Sequence, residues 1–438
     1  MKYAGGLLRH DRASRVVNAL NEWNAHLRSD DLHNKYNRMA ISAFVFYRGT
    51  AHLFWADFAN DWRLNRFGSS KTRTWLQGDA HAENMGAYAD HKGRLIYGLN
   101  DFDESLIGDY QYDLWRFAVS LVLVARRNGG FSGKAKARVI DAFCDAYLDT
   151  AAAFTDKSEA PETILTLDNS SGALLDFLQE VHEGESRKKM LKKWTRKVDG
   201  ERRFDLGLEK LDQASEWEDA DIREAMPAYR ESLEKRRKGR FFAIQDIARR
   251  LSAGTGSLGT PRYYLLIRGD GDSWKDDRIL DVKRQSRPSA LRHLSAEEQV
   301  DYVRDYEHDA HRHAVAYKAL AKGPDKLLGW MRLHDGYYSV RERSPFKETF
   351  ETENLTRERT FIEWASIWAR VLATDHICAA AGLKTGGKIA KEVTRLTSKR
   401  RPEFRARVRD VAFEYATQAE TDYGYFMDAM QPNHHADD

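Results

Sequence analysis

Asp79, His81 and Asn84 share one short stretch of the chain, and two more carboxylates, Asp101 and Asp103, follow within the run "WLQGDAHAENMGAYADHKGRLIYGLNDFDES". Each group comes after apolar residues: Trp75 and Leu76 before the first, and Leu95, Ile96, Tyr97 and Leu99 before the second. A carboxylate at the end of an apolar strand can take a proton from a hydroxyl or orient that hydroxyl for attack. Asn84 is a neutral oxygen donor of the kind a hard cation such as magnesium prefers. Asp101 would be a second oxygen donor to the same ion. Asp103 would assist, because side chains two apart on extended backbone share a face. Phosphoryl transfer uses this set of groups and asks for little covalent chemistry from the protein. A plainer reading makes the same residues turn and cap residues of a hairpin, since Asp, Asn and Gly favour turns. Their combination at two strand ends argues for chemistry. A metallophosphoesterase would also use an Asp-x-His pair, but it wants further histidines on later strand ends. The 15 histidines here are scattered, and "NHH" at 433–435 lies in a polar tail.

A second group lies far downstream. Gly254, Gly256 and Gly259 form G-x-G-x-x-G in "GTGSLGTPRYYLLI". The dinucleotide-binding version of this pattern opens a helix. Here a β-rich run follows, which predicts a strand–turn–strand whose backbone amides cover nucleotide phosphates. Lys283, in the apolar "RILDVKRQ", suits a contact to the α- and β-phosphates. Its competing reading is an edge-strand lysine that discourages aggregation. Glu297, Glu298 and Glu307 in "SAEEQVDYVRDYEHDAHRH" each offer this lysine a helical carboxylate partner, and the sequence does not choose among them. Arg48 ends an aromatic run in "FYRG", where an unpaired guanidinium is costly to bury. A phosphate, Asp79 or Asp101 would satisfy it, as would a structural salt bridge elsewhere.

The elements that must position these residues can be read coarsely. Residues 1–70 read as helical segments followed by the apolar "AISAFVFYRGTAHLFWADF". Strand signals at "RTWLQG" and "RLIYGLN" stand either side of the turn-like "DHKG". Apolar spacing at Leu114, Phe117, Ala118, Leu121 and Val122 predicts a helix that stops at Gly129 and Gly130. Helix is expected to continue to about residue 185. Strands and polar turns are expected after residue 240, and mostly helix after Pro288, interrupted by "DGYYSVRER".

A chain of 438 residues with 42% hydrophobic and 11% aromatic content can build a core and is not a disordered chain. The net charge of +3 gives no bias of the whole chain toward nucleic acid or membrane. Three basic stretches, "RKKMLKKWTRK", "KRRKGR" and "SKRRPEFRARVR", could contact nucleic-acid phosphates. The 67 acidic residues make solvated helix faces the simpler reading. The longest clean apolar run, "FAVSLVLVA", is far short of the roughly 20 residues a spanning helix needs. The first residues lack the apolar core of a signal peptide. Cys144 and Cys378 make neither a disulfide framework nor a Cys-based zinc site. A soluble, cytoplasmic protein is the expectation; the oligomeric state is not legible.

"GDAHAEN" followed by "NDFDE" resembles the Gly-Asp-x-His-x-x-Asn loop and the Ile-Asp-Phe/Trp strand end of aminoglycoside and choline-type phosphotransferases, which share the protein-kinase fold. Over nearly its whole length the chain is also similar to a bacterial family known as domain of unknown function 2252. That similarity rests on "RMAISAFVFYRG", "WLQGDAHAENMG", "LNDFDESLIGDYQYDLWRFAVSL", "GTGSLGT", "DVKRQSRPS", "LLGW", "YYSVRER" and "FEYATQAETDY". The kinase-like resemblance implies Asp79 as the catalytic aspartate with His81 in the same loop, and Asn84 and Asp101, assisted by Asp103, as magnesium ligands. It implies that Gly254, Gly256, Gly259 and Lys283 bind ATP, with Arg48 nearby. Lys283-Arg284-Gln285 stands where the bacterial family has Lys-Glu-Ala, and "HRHAVAYKA" replaces Arg-Val-Val-x-Gly-Gln, which leaves the acidic partner of Lys283 open. Gly78, where protein kinases carry arginine, favours a small-molecule type of loop.

In kinases the glycine loop and lysine precede the catalytic loop; here they follow it. A circular permutation reconciles the two orders. The expected architecture is therefore α+β, a circularly permuted protein-kinase-like fold. Residues 1–240 would begin the large helical lobe, 241–345 would form a β-rich nucleotide lobe, and 346–438 would return to the large lobe. The helix "FIEWASIWARVLATDHICAAAG" should pack beside the Asp79 loop. The expected activity is ATP- and magnesium-dependent phosphoryl transfer to a small-molecule or protein hydroxyl. The alternatives are nucleotidyl transfer, a nucleotide-binding pseudokinase or scaffold, and, more distantly, nucleic-acid binding.

Overall fold

The segments that carry Asp79, Asp101 and Lys283 belong to a two-stranded, a three-stranded and a six-stranded sheet; a further two-stranded sheet lies elsewhere among the described residues. The computed structural model describes residues 2–155 and 164–430, apart from 236, 238, 252, 253, 255, 257, 272 and 384–386. Its strands are β1 (Arg73–Leu76), β2 (Met85–Ala89), β3 (Leu95–Leu99), β4 (Leu106–Asp109), β5 (Leu165–Thr166), β6 (Thr195–Val198) and β7 (Glu201–Phe204). They continue with β8 (Leu211–Gln213), β9 (Ile244–Arg250), β10 (Arg262–Ile267), β11 (Arg278–Arg284), β12 (Gly329–Leu333) and β13 (Gly336–Glu342).

The expected pairing around "DHKG" needs correction. β1 and β3 are not partners. β1 pairs with β4, Thr74 opposite Gly108, and β3 pairs with β2, Tyr97 opposite Ala87. Both missed strands are short and glycine-containing, "MGAYA" and "LIGD", and each carries a single aromatic or β-branched residue, Tyr88 and Ile107, too little to announce a strand. The crossing places the β1–β2 loop, with Asp79, His81 and Asn84, against the β3–β4 loop, with Asp101 and Asp103.

The larger sheet is antiparallel throughout, in the order β12-β13-β11-β10-β9-β8. The run "RYYLLI" is buried on both faces, as aromatic and branched residues in a central strand should be. Lys283 stands opposite Arg262 on one side and Ser339 on the other. The predicted strands of this sheet are present as β10, β11 and β13. It also recruits β8, which precedes residue 241, and the Glu216–Glu231 helix packs Ile222, Met226 and Tyr229 into the same apolar cluster.

The remainder is helical, so the protein is α+β. "AISAFVFYRGTAHLFWADF" forms two short helices, Ala43–Gly49, capped by Ser42, and Ala51–Phe58. The expected central helix runs Gln111–Asn128 and ends where Gly129 and Gly130 take positive φ. Helix does not run unbroken to residue 185: Gly133–Ala153 and Gly172–Gly184 are separate. The Glu358–Ala380 and Arg401–Met430 helices close the same core as Gln111–Asn128, through Trp364, Trp368, Val411 and Ala416. The basic stretch at the start of the Arg401–Met430 helix is used inside the fold. Arg401, Arg405 and Arg409 pair with Asp149, Asp145 and Asp141 of the Gly133–Ala153 helix.

Candidate functional site

Gly78 allows the first loop to form. Its φ is +85°, and a Cβ there would meet the Glu104 carbonyl oxygen at 2.0 Å, so the turn needs glycine and the two loops touch at this point. Buried Asp113 accepts the Gln77 and Gly78 backbone N–H groups at 2.6 and 3.0 Å. His376 of the Glu358–Ala380 helix holds Asp113 in turn at 3.1 Å, while Thr74 donates to the His376 carbonyl. The helix expected beside this loop therefore lies beside it. Gln77 joins the loops: its amide donates to the Asp101 carbonyl at 2.6 Å and its oxygen accepts the Asp79 N–H at 3.0 Å.

Asp79 is gripped by a residue the sequence reading passed over. Arg116, wholly buried on the Gln111–Asn128 helix, donates from Nε at 2.8 Å and from Nη2 to Asp79 Oδ1. Its guanidinium also lies 4.4 Å from the centre of the Tyr47 ring. Burial pushes the Asp79 carboxyl up to about 7, against the pull of Arg116. His81 Nε2 lies 3.8 Å from Asp79 Oδ2, and its Nδ1 accepts the Glu83 N–H at 3.2 Å. Burial drives the His81 pKa far down, so the ring is neutral, with its proton on the nitrogen that faces Asp79. Asn84 spends its amide N–H on the Asp79 carbonyl at 3.0 Å, which leaves its side-chain oxygen as the end suited to a cation.

The second loop is held by another buried arginine. Arg312, on the Asp309–Leu320 helix, donates to the carbonyls of Phe102, Asp103 and Ser105 at 2.8–3.2 Å. Glu104 accepts both the N–H and the hydroxyl of Ser289 at 2.6 Å. The partner of Lys283, open in the sequence, is Asp103. Gln285 donates to the same carboxylate at 3.2 Å. Burial would raise Asp103, but Lys283 outweighs it and holds the carboxyl well below its ordinary value. Burial brings His313, 3.6 Å from Asp103, down to about 3, so it meets the carboxylate as a neutral ring. None of the glutamates considered for Lys283 reaches it: Glu298 caps its own helix and pairs with Arg73, and Glu297 and Glu307 are exposed.

Asp79, His81, Asn84, Asp101 and Asp103 line one cleft of about 860 Å³, together with Gly254, Gly256, Gly259, Arg48 and Lys283. That size suits a nucleotide or comparable small ligand. Gly254 and Gly259 adopt positive φ in the loop between β9 and β10, the strand–turn–strand geometry expected. The loop leans on an N-terminal helix, where Lys35 donates to the Gly256 carbonyl and Arg38 to that of Gly254, each at 3.3 Å. Arg48 is at the cleft, but its carboxylate partner is Glu83 rather than Asp79 or Asp101. No group of three or more His, Cys, Asp or Glu residues is spaced to hold a metal among the described residues. Magnesium keeps several waters and leans on one or two carboxylates plus phosphate oxygens, so Asp101 and Asn84 are the residues here that would offer it oxygens.

The chain belongs to a family described as uncharacterized proteins conserved in bacteria (DUF2252), whose pattern matches residues 28–429. No curated protein and no solved structure matches it. No helix among the described residues is long and apolar enough to cross a membrane.

Proposed function

We propose that this protein is an ATP- and magnesium-dependent phosphotransferase on a circularly permuted kinase-like fold, acting on a small-molecule or protein hydroxyl. The observation that carries the reading is the convergence on one cleft of two groups far apart in sequence, the Asp79–Asp103 loops and the Gly254–Lys283 segment. The order of the two groups is what a permuted chain would produce, and the Glu358–Ala380 helix reaching back to the Asp79 loop fits the same scheme.

In this reading Asp79 orients the acceptor hydroxyl and takes its proton, and a carboxyl near 7 is suited to both tasks. Arg116 keeps one Asp79 oxygen occupied, so the other, on the His81 side, is the one free to meet substrate. Asn84 and Asp101 offer hard oxygen donors that fit magnesium, which when bound neutralises charge on the transferring phosphate. Lys283 leaves Asp103 to share a phosphate, and the glycine loop covers the phosphates with backbone amides.

The engagement of Asp103 by Lys283 and Gln285 also favours a second reading, a nucleotide-binding protein without turnover. A thermal-shift titration with ATP, with and without magnesium, tests binding for both readings. Turnover of γ-labelled ATP by wild type, abolished in Asp79→Asn, supports the transferase. Transfer of the α-label instead indicates nucleotidyl transfer. Binding without turnover leaves the second reading.

A further inference from the structure

The phosphotransfer residues use only part of the cleft. Its other wall is built by Trp23 at the end of the Lys2–Asn24 helix, Lys35 on Ser29–Met39, His52 on Ala51–Phe58 and Arg292 in the turn Ser289–His293. His52 is 7% exposed, and neither ring nitrogen has a hydrogen-bond partner among the described residues. Its ring stacks on Trp23 with centroids 5.0 Å apart and planes 13° from parallel, and the Arg292 guanidinium lies 5.1 Å from the Trp23 ring. A buried imidazole held flat with both nitrogens unused is a polar group awaiting a ligand, because burial without partners is costly.

Lys35 makes the same case for charge. It is 2% exposed, and the bond to the Gly256 carbonyl is the only hydrogen bond of its ammonium group among the described residues. The acid that acts on it, Glu104, is already committed to Ser289. Buried ammonium groups are ordinarily paired with a carboxylate or shed their proton. Burial brings Lys35 to about 8, so it stays largely charged at neutral pH. Burial brings His52 to about 3, and the groups that act on its charge, Lys35, Arg116, Arg292 and His293, all add positive potential. Asp79, the carboxylate that would meet the acceptor hydroxyl, lines the same cleft as this wall.

We infer that Lys35, His52, Trp23 and Arg292 form the acceptor subsite, and that the acceptor is a small alcohol bearing an oxyanion group. Lys35 and Arg292 take the oxyanion, the neutral His52 ring hydrogen-bonds a hydroxyl or the anion, and the reacting hydroxyl reaches Asp79. In the transfer the acceptor oxygen bonds to the γ-phosphorus as the bond to the ADP oxygen breaks, and the hydroxyl proton passes to Asp79. The inference rests on the phosphotransferase reading and adds a substrate class to it.

The test uses the full chain and two probes in a thermal-shift titration at constant ionic strength, set with chloride. The first probe is a non-hydrolysable ATP analogue with magnesium, and the second, added at saturating analogue, is inorganic phosphate. Both should raise the melting temperature, since each binds the folded state. His52→Phe should keep the analogue response and weaken the phosphate response at least tenfold; Lys35→Met should weaken the phosphate response as far, while Lys35→Arg, which can keep a bond to the Gly256 carbonyl, should retain both. No phosphate response beyond chloride, or one unchanged in Lys35→Met, overturns the subsite. Loss of the analogue response itself in His52→Phe overturns it too, since the ring would then serve the nucleotide. A phosphate response that depends on Lys35, without any analogue response in wild type, sinks the phosphotransferase reading but leaves the anion site standing.

Discussion

At the smallest scale, the proposed transfer rests on Asp79 as the base and on Arg116, which holds it. With the carboxyl near 7, the base form is lost as pH falls, so kcat/KM should drop about tenfold per unit below that value. A pH–rate profile reads this directly, and a flat profile between pH 5 and 8 would remove Asp79 as the base. Asp79→Asn should lower turnover by about 10²–10⁴-fold while keeping the nucleotide-induced thermal shift. Arg116→Met strips the cation that opposes burial, so the acidic limb should move to higher pH. The same change removes two charged hydrogen bonds from Asp79, which can then take up a proton, and should cost about 1.5–3 kcal/mol in denaturant unfolding. Asp79, Asn84, Asp101 and Lys283 were legible because their polarity contradicts the apolar runs around them. Arg116 and Arg312 were not, because each sits within a helical pattern that reads as ordinary. The available signal was a guanidinium on the core-facing side of a helix, in "DLWRFAVSL" and "DAHRHAVAY", where burial demands partners.

At the scale of elements, the site depends on two crossed strand pairs whose loops press together at Gly78. Gly78→Ala adds a Cβ into the Glu104 carbonyl at a residue with φ +85°, so the Asp101 loop must shift. Gly93 offers the control: its φ is +80°, but nothing lies within 4 Å of its would-be Cβ. Gly93→Ala should cost only the left-handed conformation, about 1–2 kcal/mol, with activity kept. Gly78→Ala should cost clearly more in chemical denaturation and take activity with it. Equal losses at the two sites would show that the loops are not in obligatory contact. The central helix and the β10 and β11 strands were readable from periodicity and β-rich content. The β1–β4 pairing was not, since nothing in four short residues of "LIGD" reveals a partner beyond the intervening β2–β3 hairpin. The basic run at residues 398–409 carried a charge signal whose meaning depended on the partner. Asp141, Asp145 and Asp149 recur at helical spacing and meet it face to face.

At the scale of the whole molecule, the helical part is knitted from segments at opposite ends of the chain. Arg12 donates to Asp57 at 2.7 Å and to Asp422 at 3.0 Å. Tyr415 donates to Asp57 at 2.9 Å and packs its ring against Tyr47, Phe54 and Phe58. Tyr47 in turn donates to the Arg116 carbonyl at 3.1 Å and accepts from the Arg116 guanidinium at 3.2 Å. A continuous path of packed groups thus runs from the Arg401–Met430 helix to the grip on Asp79, although that helix contributes no residue to the cleft lining. The last helix is not an appendage, because Val408, Val411, Ala412 and Ala416 are core residues. Deleting residues 401–430 should therefore abolish cooperative unfolding of the helical part and the nucleotide-induced thermal shift together. Near-ultraviolet circular dichroism would follow the buried aromatic residues during the same titration. A truncated chain that unfolds cooperatively and still answers nucleotide would show that the Asp79 loop is held without this helix.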